Sequence, residues 1–157
     1  MAGSNSLTIK SRCAYNPALA DLAETTVLIE RLLPPQGPLL SKFYRQHGSS
    51  MRAVAGAQWW VARDQEIVAG LNLVGVEGGC WLTGLYVAPE YRKAGLATQL
   101  IGDALAQPEG LIWLFCHPSL LPLYAPLGFS VCEALPQGLR SRLERYQRTK
   151  KLIAMVR

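Results

Sequence analysis

The stretch Val87-Ala88-Pro89-Glu90-Tyr91-Arg92-Lys93-Ala94-Gly95-Leu96-Ala97-Thr98-Gln99-Leu100 constrains this chain more than any other. It reads as the end of a buried strand, a short basic turn holding a glycine, and the first turns of a helix. A helix start leaves several backbone N–H groups without intrahelical partners, and the helix dipole adds positive potential at the same place. Such a strand–turn–helix favours an anion, with phosphate or pyrophosphate as its natural occupant. Arg92 and Lys93 add charge at the rim, and Gly95 lets the backbone approach a ligand closely. Basic, glycine-bearing loops also precede helices for purely structural reasons. The stretch is neither a Gly-x-Gly-x-x-Gly dinucleotide fingerprint nor a Walker loop, since Gly-Lys-Ser/Thr is missing.

A second signal lies downstream. Leu111-Ile112-Trp113-Leu114-Phe115-Cys116 is a short apolar run that reads as a buried strand. A helical segment over 119–127 follows and stops at Gly128. Its end, Leu123-Tyr124-Ala125-Pro126-Leu127-Gly128-Phe129, places a tyrosine one turn before the glycine. Together the two pieces resemble the GCN5-related N-acetyltransferase (GNAT) superfamily. Arg92 to Ala97, after Val87-x-Pro89, is similar to that family's pyrophosphate motif Arg/Gln-x-x-Gly-x-Gly/Ala. Leu123 to Phe129 is similar to its Leu-Tyr-x-x-x-Gly-Phe signature. The resemblance runs from about Gln58 to Phe129 and is thin outside that span.

The whole chain sets bounds on this reading. At 157 residues it is expected to form a single domain, residues 1–157, able to bury a real core. No apolar run approaches the length of a membrane span, and the start shows no signal-peptide pattern, so a cytoplasmic protein without a membrane partner is expected. Cys13, Cys80, Cys116 and Cys132 show no Cys-x-x-Cys spacing, and His47 and His117 lie far apart, so no metal site is expected and the thiols read as reduced and mostly buried. The net charge of +5 is uneven: Arg140, Arg142, Arg145, Arg148, Lys150, Lys151 and Arg157 face only Glu144 in the last stretch. Helical spacing sets Arg142, Arg145 and Arg148 on one side and Leu139, Leu143 and Tyr146 on the other, the pattern of an ordinary surface helix. A nucleic-acid partner is therefore disfavoured, though it stays an open alternative, as does a homodimer.

Local patterns order the elements. A strand is predicted over 7–13. Asn16-Pro17 reads as a helix start, followed by an apolar stripe that ends at Pro34-Pro35. A second helix is predicted over 38–45, strands over 58–62, 67–76 and 80–87, and a helix over 94–106. After the 111–116 strand come a strand over 130–134, a basic helix over 136–147 and a strand over 151–156. Trp59-Trp60 is expected to alternate, with one face buried. The resemblance implies an α/β fold: a mixed, mostly antiparallel central sheet with helices on both faces. It also implies a parallel, splayed strand pair at the cofactor site. Gly84, mid-strand, fits the bulge that splays the pair.

The implied reaction moves an acetyl group from acetyl-CoA, the cosubstrate, to a primary amine of a small molecule or peptide. The backbone N–H groups of Lys93, Ala94, Gly95, Leu96, Ala97 and Thr98 are the expected pyrophosphate cradle, with Arg92 beside them. The pantetheine arm would pair with Leu85 and Val87 as an added strand, where a backbone N–H stabilises charge on the acyl oxygen. Tyr124 is the candidate general acid, since a phenol with pKa near 10 keeps its proton at neutral pH. His117 stands where many members carry asparagine, and three roles are open to it: bonding the pantetheine, acting as base, or capping the strand end. Many members carry a carboxylate before the position of Val87. Trp81-Leu82-Thr83-Gly84-Leu85-Tyr86 has none, which leaves Glu77, His117, Glu30 or a water chain as the base. Two other readings stay open: a non-catalytic CoA-binding module, and an acetyltransferase acting on charged tRNA.

Overall fold

A computed structural model describes the backbone of residues 5–10 and 24–157, with side chains from Thr26 onward. In chain order the elements are β1 (Asn5–Lys10), β2 (Glu24–Leu32), α1 (Gly37–Gln46), β3 (Gln58–Asp64), β4 (Glu66–Val76), β5 (Gly79–Val87), α2 (Leu96–Ala104), β6 (Leu111–Cys116), α3 (Leu121–Tyr124), β7 (Ser130–Val131), α4 (Gln137–Gln147) and β8 (Ile153–Val156). The architecture is a mixed α/β fold, mostly antiparallel with one parallel pair. The described residues divide into two compact units: those up to Asn72 with Gly84–Ala106, and Leu73–Thr83 with Gln107–Arg157. β4 and β5 contribute to both.

In the first unit the strand order is β1-β2-β3-β4-β5. β1 pairs antiparallel with β2 from Asn5↔Ile29 to Lys10↔Glu24, and β2 with β3 from Leu28↔Arg63 to Leu32↔Trp59. β2 corrects the sequence reading, which placed its residues in a helix opened by Asn16-Pro17. That helix start, and the end of the first predicted strand, lie outside the described residues. The physical reason is local. Thr25, Thr26, Val27 and Ile29 are β-branched and lose rotamer freedom in a helix, while Val27 and Ile29 alternate inward with Leu28 and Glu30 less buried. A run this apolar satisfies both periods, and pairing with β1 and β3 selects the strand.

α1 buries Gly37, Leu40, Phe43 and Tyr44, one stripe at helical spacing. Gly37 has a packing reason, because a Cβ there would come within 2.9 Å of the Trp59 ring. Trp59 and Trp60 do not divide into one buried and one open face. Both are buried, the Trp59 indole donating to the Val54 carbonyl at 2.9 Å and the Trp60 indole to Gln58 Oε1 at 3.3 Å. α2 buries Leu96, Leu100, Ile101 and Ala104. Each large apolar side chain so buried stabilises the fold by about 1.5–3 kcal/mol.

In the second unit the order is β4-β5-β6-β8-β7. β5 and β6 are the parallel pair, in register from Gly79↔Leu111 to Leu82↔Leu114. β6 pairs antiparallel with β8, which pairs antiparallel with the two-residue β7. Trp81, Trp113 and Leu139 form the core, with Val74, Phe115, Leu135 and Tyr146 packed against it. The basic helix α4 turns only Leu139 fully inward. Its Arg142 lies over the Trp81 ring at 4.7 Å, while Arg140, Arg145 and Arg148 are exposed. The expected helix over 119–127 is broken into a 3-10 turn at Pro118–Leu120, the single turn α3 and a second 3-10 turn at Ala125–Leu127. Pro118, Pro122 and Pro126 withhold the N–H groups that a continuous helix needs. Among the described residues no helix is long and apolar enough to cross a membrane, no group of three His, Cys, Asp or Glu is placed to hold a metal ion, and Cys80, Cys116 and Cys132 are free.

Candidate active site

The residues singled out from the sequence fall into two sets. Leu85, Val87 and Arg92 to Thr98 belong to the first unit, and His117 and Tyr124 to the second.

In the first set, β5 ends at Val87 and the chain turns through a 3-10 segment at Pro89–Tyr91. The Tyr91 hydroxyl ties this segment to the Asp64 carboxylate at the end of β3, at 2.6 Å. The backbone then enters the left-handed region twice, at Lys93 (φ 63°) and at Gly95 (φ 79°). Gly95 is the N-cap, so α2 begins at Leu96 and not at Ala94 as the sequence reading had it. Gln99 is the first residue whose N–H turns back, to the Gly95 carbonyl at 3.1 Å. The N–H groups of Leu96, Ala97 and Thr98 are therefore the free donors of the helix start. Lys93 and Ala94 line the loop before it. A Cβ built on Gly95 meets nothing within 4 Å, so the turn at the helix start is uncrowded on that side. Lys93 is a non-glycine residue in left-handed backbone, a local strain that the surrounding turn sustains next to the free donors.

Arg92 is held in place from two sides. Its Nε donates to the Val87 carbonyl at 2.8 Å, and its guanidinium carbon lies 5.2 Å from the centre of the Tyr86 ring. Tyr86 in turn packs against Phe43 and His47, at 5.8 Å and 5.5 Å between ring centres. The Arg92 side chain is thereby pre-ordered, with its Nη groups making no hydrogen bond among the described residues. It also occupies the Val87 carbonyl, which the sequence reading had left open for pairing.

The middle of β5 is shaped by Gly84 (φ 70°). The Tyr44 hydroxyl donates to the Gly84 carbonyl at 2.6 Å, and Asn72 Nδ2 donates to the Tyr44 oxygen at 3.3 Å. A Cβ at Gly84 would sit 2.9 Å from both partners, so only glycine fits here. The parallel register with β6 ends at Leu82, two residues earlier. The Ala88 N–H points to the Val68 carbonyl on β4 at 2.8 Å. By strand alternation, the N–H groups of Leu85 and Val87 point the other way. Sequence reasoning missed Tyr44 and Asn72. The one available signal was Asn72 itself, a lone polar residue in the apolar run Ile67 to Val76.

In the second set, Tyr124 closes α3 at 5% exposure, its ring edge-on to Phe129 at 5.9 Å. Its hydroxyl has no hydrogen-bond partner among the described residues. Burial pushes its pKa up to about 12, and the neighbouring Cys116 adds to the rise. Burial also raises the Tyr44 hydroxyl, outweighing the lowering effect of its hydrogen bond with Asn72. His117 Nδ1 accepts the Ser119 N–H at 3.1 Å and lies 2.8 Å from the Ser119 hydroxyl. With Nδ1 an acceptor, the neutral ring carries its proton on Nε2. His117 thus caps the Pro118–Leu120 turn and presents a donor, not a base, on its other nitrogen. Of the remaining base candidates, Glu30 is paired with Arg63 at 2.9 Å, and Glu77 is exposed in the turn that opens β5.

The two raised phenols make stability depend on alkaline pH. Below about pH 10 both the folded and the unfolded chain keep these protons. As pH rises from 10 towards 12, the unfolded chain releases them while the folded chain holds them. Stability then falls, by up to about 1.4 kcal/mol per pH unit for each tyrosine. Urea denaturation is expected to show a lower midpoint at pH 11 than at pH 9, and equal midpoints would mean the phenols are not buried as described.

A family model for the acetyltransferase (GNAT) domain matches residues 55–131, which take in both the α2 start and the Tyr124 turn. Among solved structures, Naa50 of Arabidopsis thaliana, in complex with the bisubstrate analogue CoA-Ac-MVNAL, has a TM-score of 0.60 at 11% identity over 83% of this chain and 97% of that one. ElaA of Escherichia coli has a TM-score of 0.56 at 13% identity over 100% of this chain and 99% of that one. NAA60 of Arabidopsis thaliana, in complex with a bisubstrate analogue, has a TM-score of 0.55 at 16% identity over 83% of this chain and 95% of that one. At such identities the likeness speaks for the fold. Comparison with curated proteins finds no match. Domain match and fold agree: residues 55–131 match the acetyltransferase (GNAT) domain, that of an acyltransferase, and the chain shares the fold of the GCN5-related N-acetyltransferase (GNAT) proteins it resembles.

Proposed function

We propose that this protein is an N-acetyltransferase that uses acetyl-CoA to acetylate a primary amine by direct attack. The observation that carries the reading is the α2 start. Three N–H groups without helical partners, of Leu96, Ala97 and Thr98, follow a left-handed glycine N-cap and a pre-ordered arginine. That donor set fits a pyrophosphate. Naa50, of the same fold, is seen with a CoA-linked analogue that ends in a peptide, which supports both the cosubstrate and an amine acceptor.

Acetyl-CoA would supply the acyl group as a thioester. The residues of this chain do the rest. The N–H groups at the start of α2 hold the pyrophosphate, with Arg92 and Lys93 at its rim. Leu85 and Val87 offer backbone N–H groups on the open side of β5 to the pantetheine arm. The Leu85 N–H donates to the acyl oxygen as it gains charge. His117, capping its own turn through Nδ1, is left with an Nε2 proton to donate. Tyr124 holds a proton for the departing sulfur. With its pKa near 12, complete transfer to a thiolate of ordinary pKa near 8.5 is uphill by roughly 5 kcal/mol. Tyr124 therefore acts mainly as a strong neutral hydrogen-bond donor to the leaving sulfur, as buried protonated acids do elsewhere.

Thiol release from acetyl-CoA tests the reading across a panel holding the pentapeptide Met-Val-Asn-Ala-Leu, free lysine, a polyamine and an aryl alkyl amine. Amine-dependent release above the rate of hydrolysis is expected for at least one member. Binding of CoA with no release for any amine would favour the non-catalytic module.

A further inference from the structure

We propose that Tyr44 is a positioning residue for acyl transfer: with Asn72 it fixes the Gly84 carbonyl, and so aims the Leu85 N–H on the far side of the same peptide. The inference rests on the reading of that N–H as the donor to the acyl oxygen.

The three groups form a directed chain. Asn72 is 1% exposed. Its Oδ1 accepts the Val54 N–H at 2.8 Å, which fixes which side of the amide is oxygen. Its Nδ2 then donates to the Arg52 carbonyl and to the Tyr44 oxygen, each at 3.3 Å. A hydroxyl whose lone pair is so engaged has one proton left to place, and Tyr44 gives it to the Gly84 carbonyl at 2.6 Å. The described chain has no cis peptide, so the Gly84–Leu85 peptide is trans and planar. Its N–H therefore points opposite to its C=O. Holding the carbonyl against α1 sets the direction of the Leu85 N–H. A short bond to the carbonyl also polarises the peptide and makes that N–H a stronger donor.

A packing role alone does not account for this arrangement. Asn72 is needed to satisfy the Val54 N–H and the Arg52 carbonyl, but phenylalanine at 44 would fill the same interior without desolvating a hydroxyl. Left-handed backbone at Gly84 and a buried hydroxyl on its carbonyl, itself held by Asn72, are what a fixed peptide plane requires.

The test uses the full chain and its Tyr44→Phe variant, with acetyl-CoA and the amine that the wild type acetylates fastest. Expected are a loss in kcat of about tenfold, less than the loss of a whole donor, KM for acetyl-CoA and calorimetric Kd for CoA within twofold of wild type, and an upfield shift of the Leu85 amide proton. An unchanged kcat with a lower melting temperature makes Tyr44 purely structural and overturns the proposal. So does a loss confined to CoA affinity. Should Tyr44→Phe fail to fold, Tyr44→Leu is read in the same way, since it also removes the hydroxyl that donates to the Gly84 carbonyl; an unmoved Leu85 resonance and unchanged kcat there overturn the proposal. If the wild type acetylates no amine, the functional reading fails, while the Leu85 shift still decides whether Tyr44 sets that peptide.

Discussion

Gly79→Ala is expected to lower the melting temperature by roughly 6–12 °C. Gly79 opens β5 opposite Leu111, the first pair of the parallel register. A Cβ there would lie 1.9 Å from the Leu111 carbonyl oxygen and 2.8 Å from its carbonyl carbon and nitrogen. These are backbone atoms of a paired strand, so no side chain can swing aside. The neighbours leave no slack: Leu111 N–H bonds the Gly78 carbonyl at 3.3 Å, and a Cβ on Gly110 would itself meet that carbonyl at 2.9 Å. Relief requires moving β6 away from β5, which disturbs the Trp81–Trp113–Leu139 core built on the same strands. The cost is about 3 kcal/mol, the upper end for overpacking, and a chain of this size shifts about 2–4 °C per kcal/mol. Calorimetric melting checks it. A shift below 2 °C would mean that the strands are not paired as described.

Tyr124→Phe is expected to lower kcat by about 10²-fold with KM for acetyl-CoA little changed. The ring keeps its edge contact with Phe129, and the lost hydroxyl leaves no protein partner unsatisfied among the described residues, so the fold is retained. The proton matters only as the sulfur departs, which places the loss in kcat. Because burial raises the phenol, wild-type kcat is expected to show no decline from Tyr124 ionisation below pH 10. Steady-state kinetics of the pair settles the role, and an unchanged kcat returns Tyr124 to packing.

The strands β3 to β6, the surface helix α4 and the turn before α2 were legible because each rests on local chemistry: apolar runs bounded by turn residues, and a basic glycine turn before a helix. The Tyr124 turn was legible only through its resemblance to a family signature. β2 was misread because Val27, Leu28, Ile29, Leu32 and Leu33 satisfy a helical stripe as well as an alternating strand, and long-range pairing decides between them. The start of α2 was placed two residues early because nothing in Ala94-Gly95 announces left-handed backbone. The Tyr44–Asn72–Gly84 chain joins residues 28 and 40 positions apart, and no local pattern connects them. The engagement of the Val87 carbonyl by Arg92 is likewise a matter of side-chain direction that spacing does not specify.

The most direct measurement of the central claim is thermal melting of the full chain with acetyl-CoA, CoA and NAD in turn. Acetyl-CoA and CoA at a hundred times their dissociation constants are expected to stabilise the fold by about 2.7 kcal/mol, a rise of roughly 5–11 °C, with NAD leaving the melt unchanged. A melting temperature indifferent to both acetyl-CoA and CoA at millimolar concentration would contradict the account.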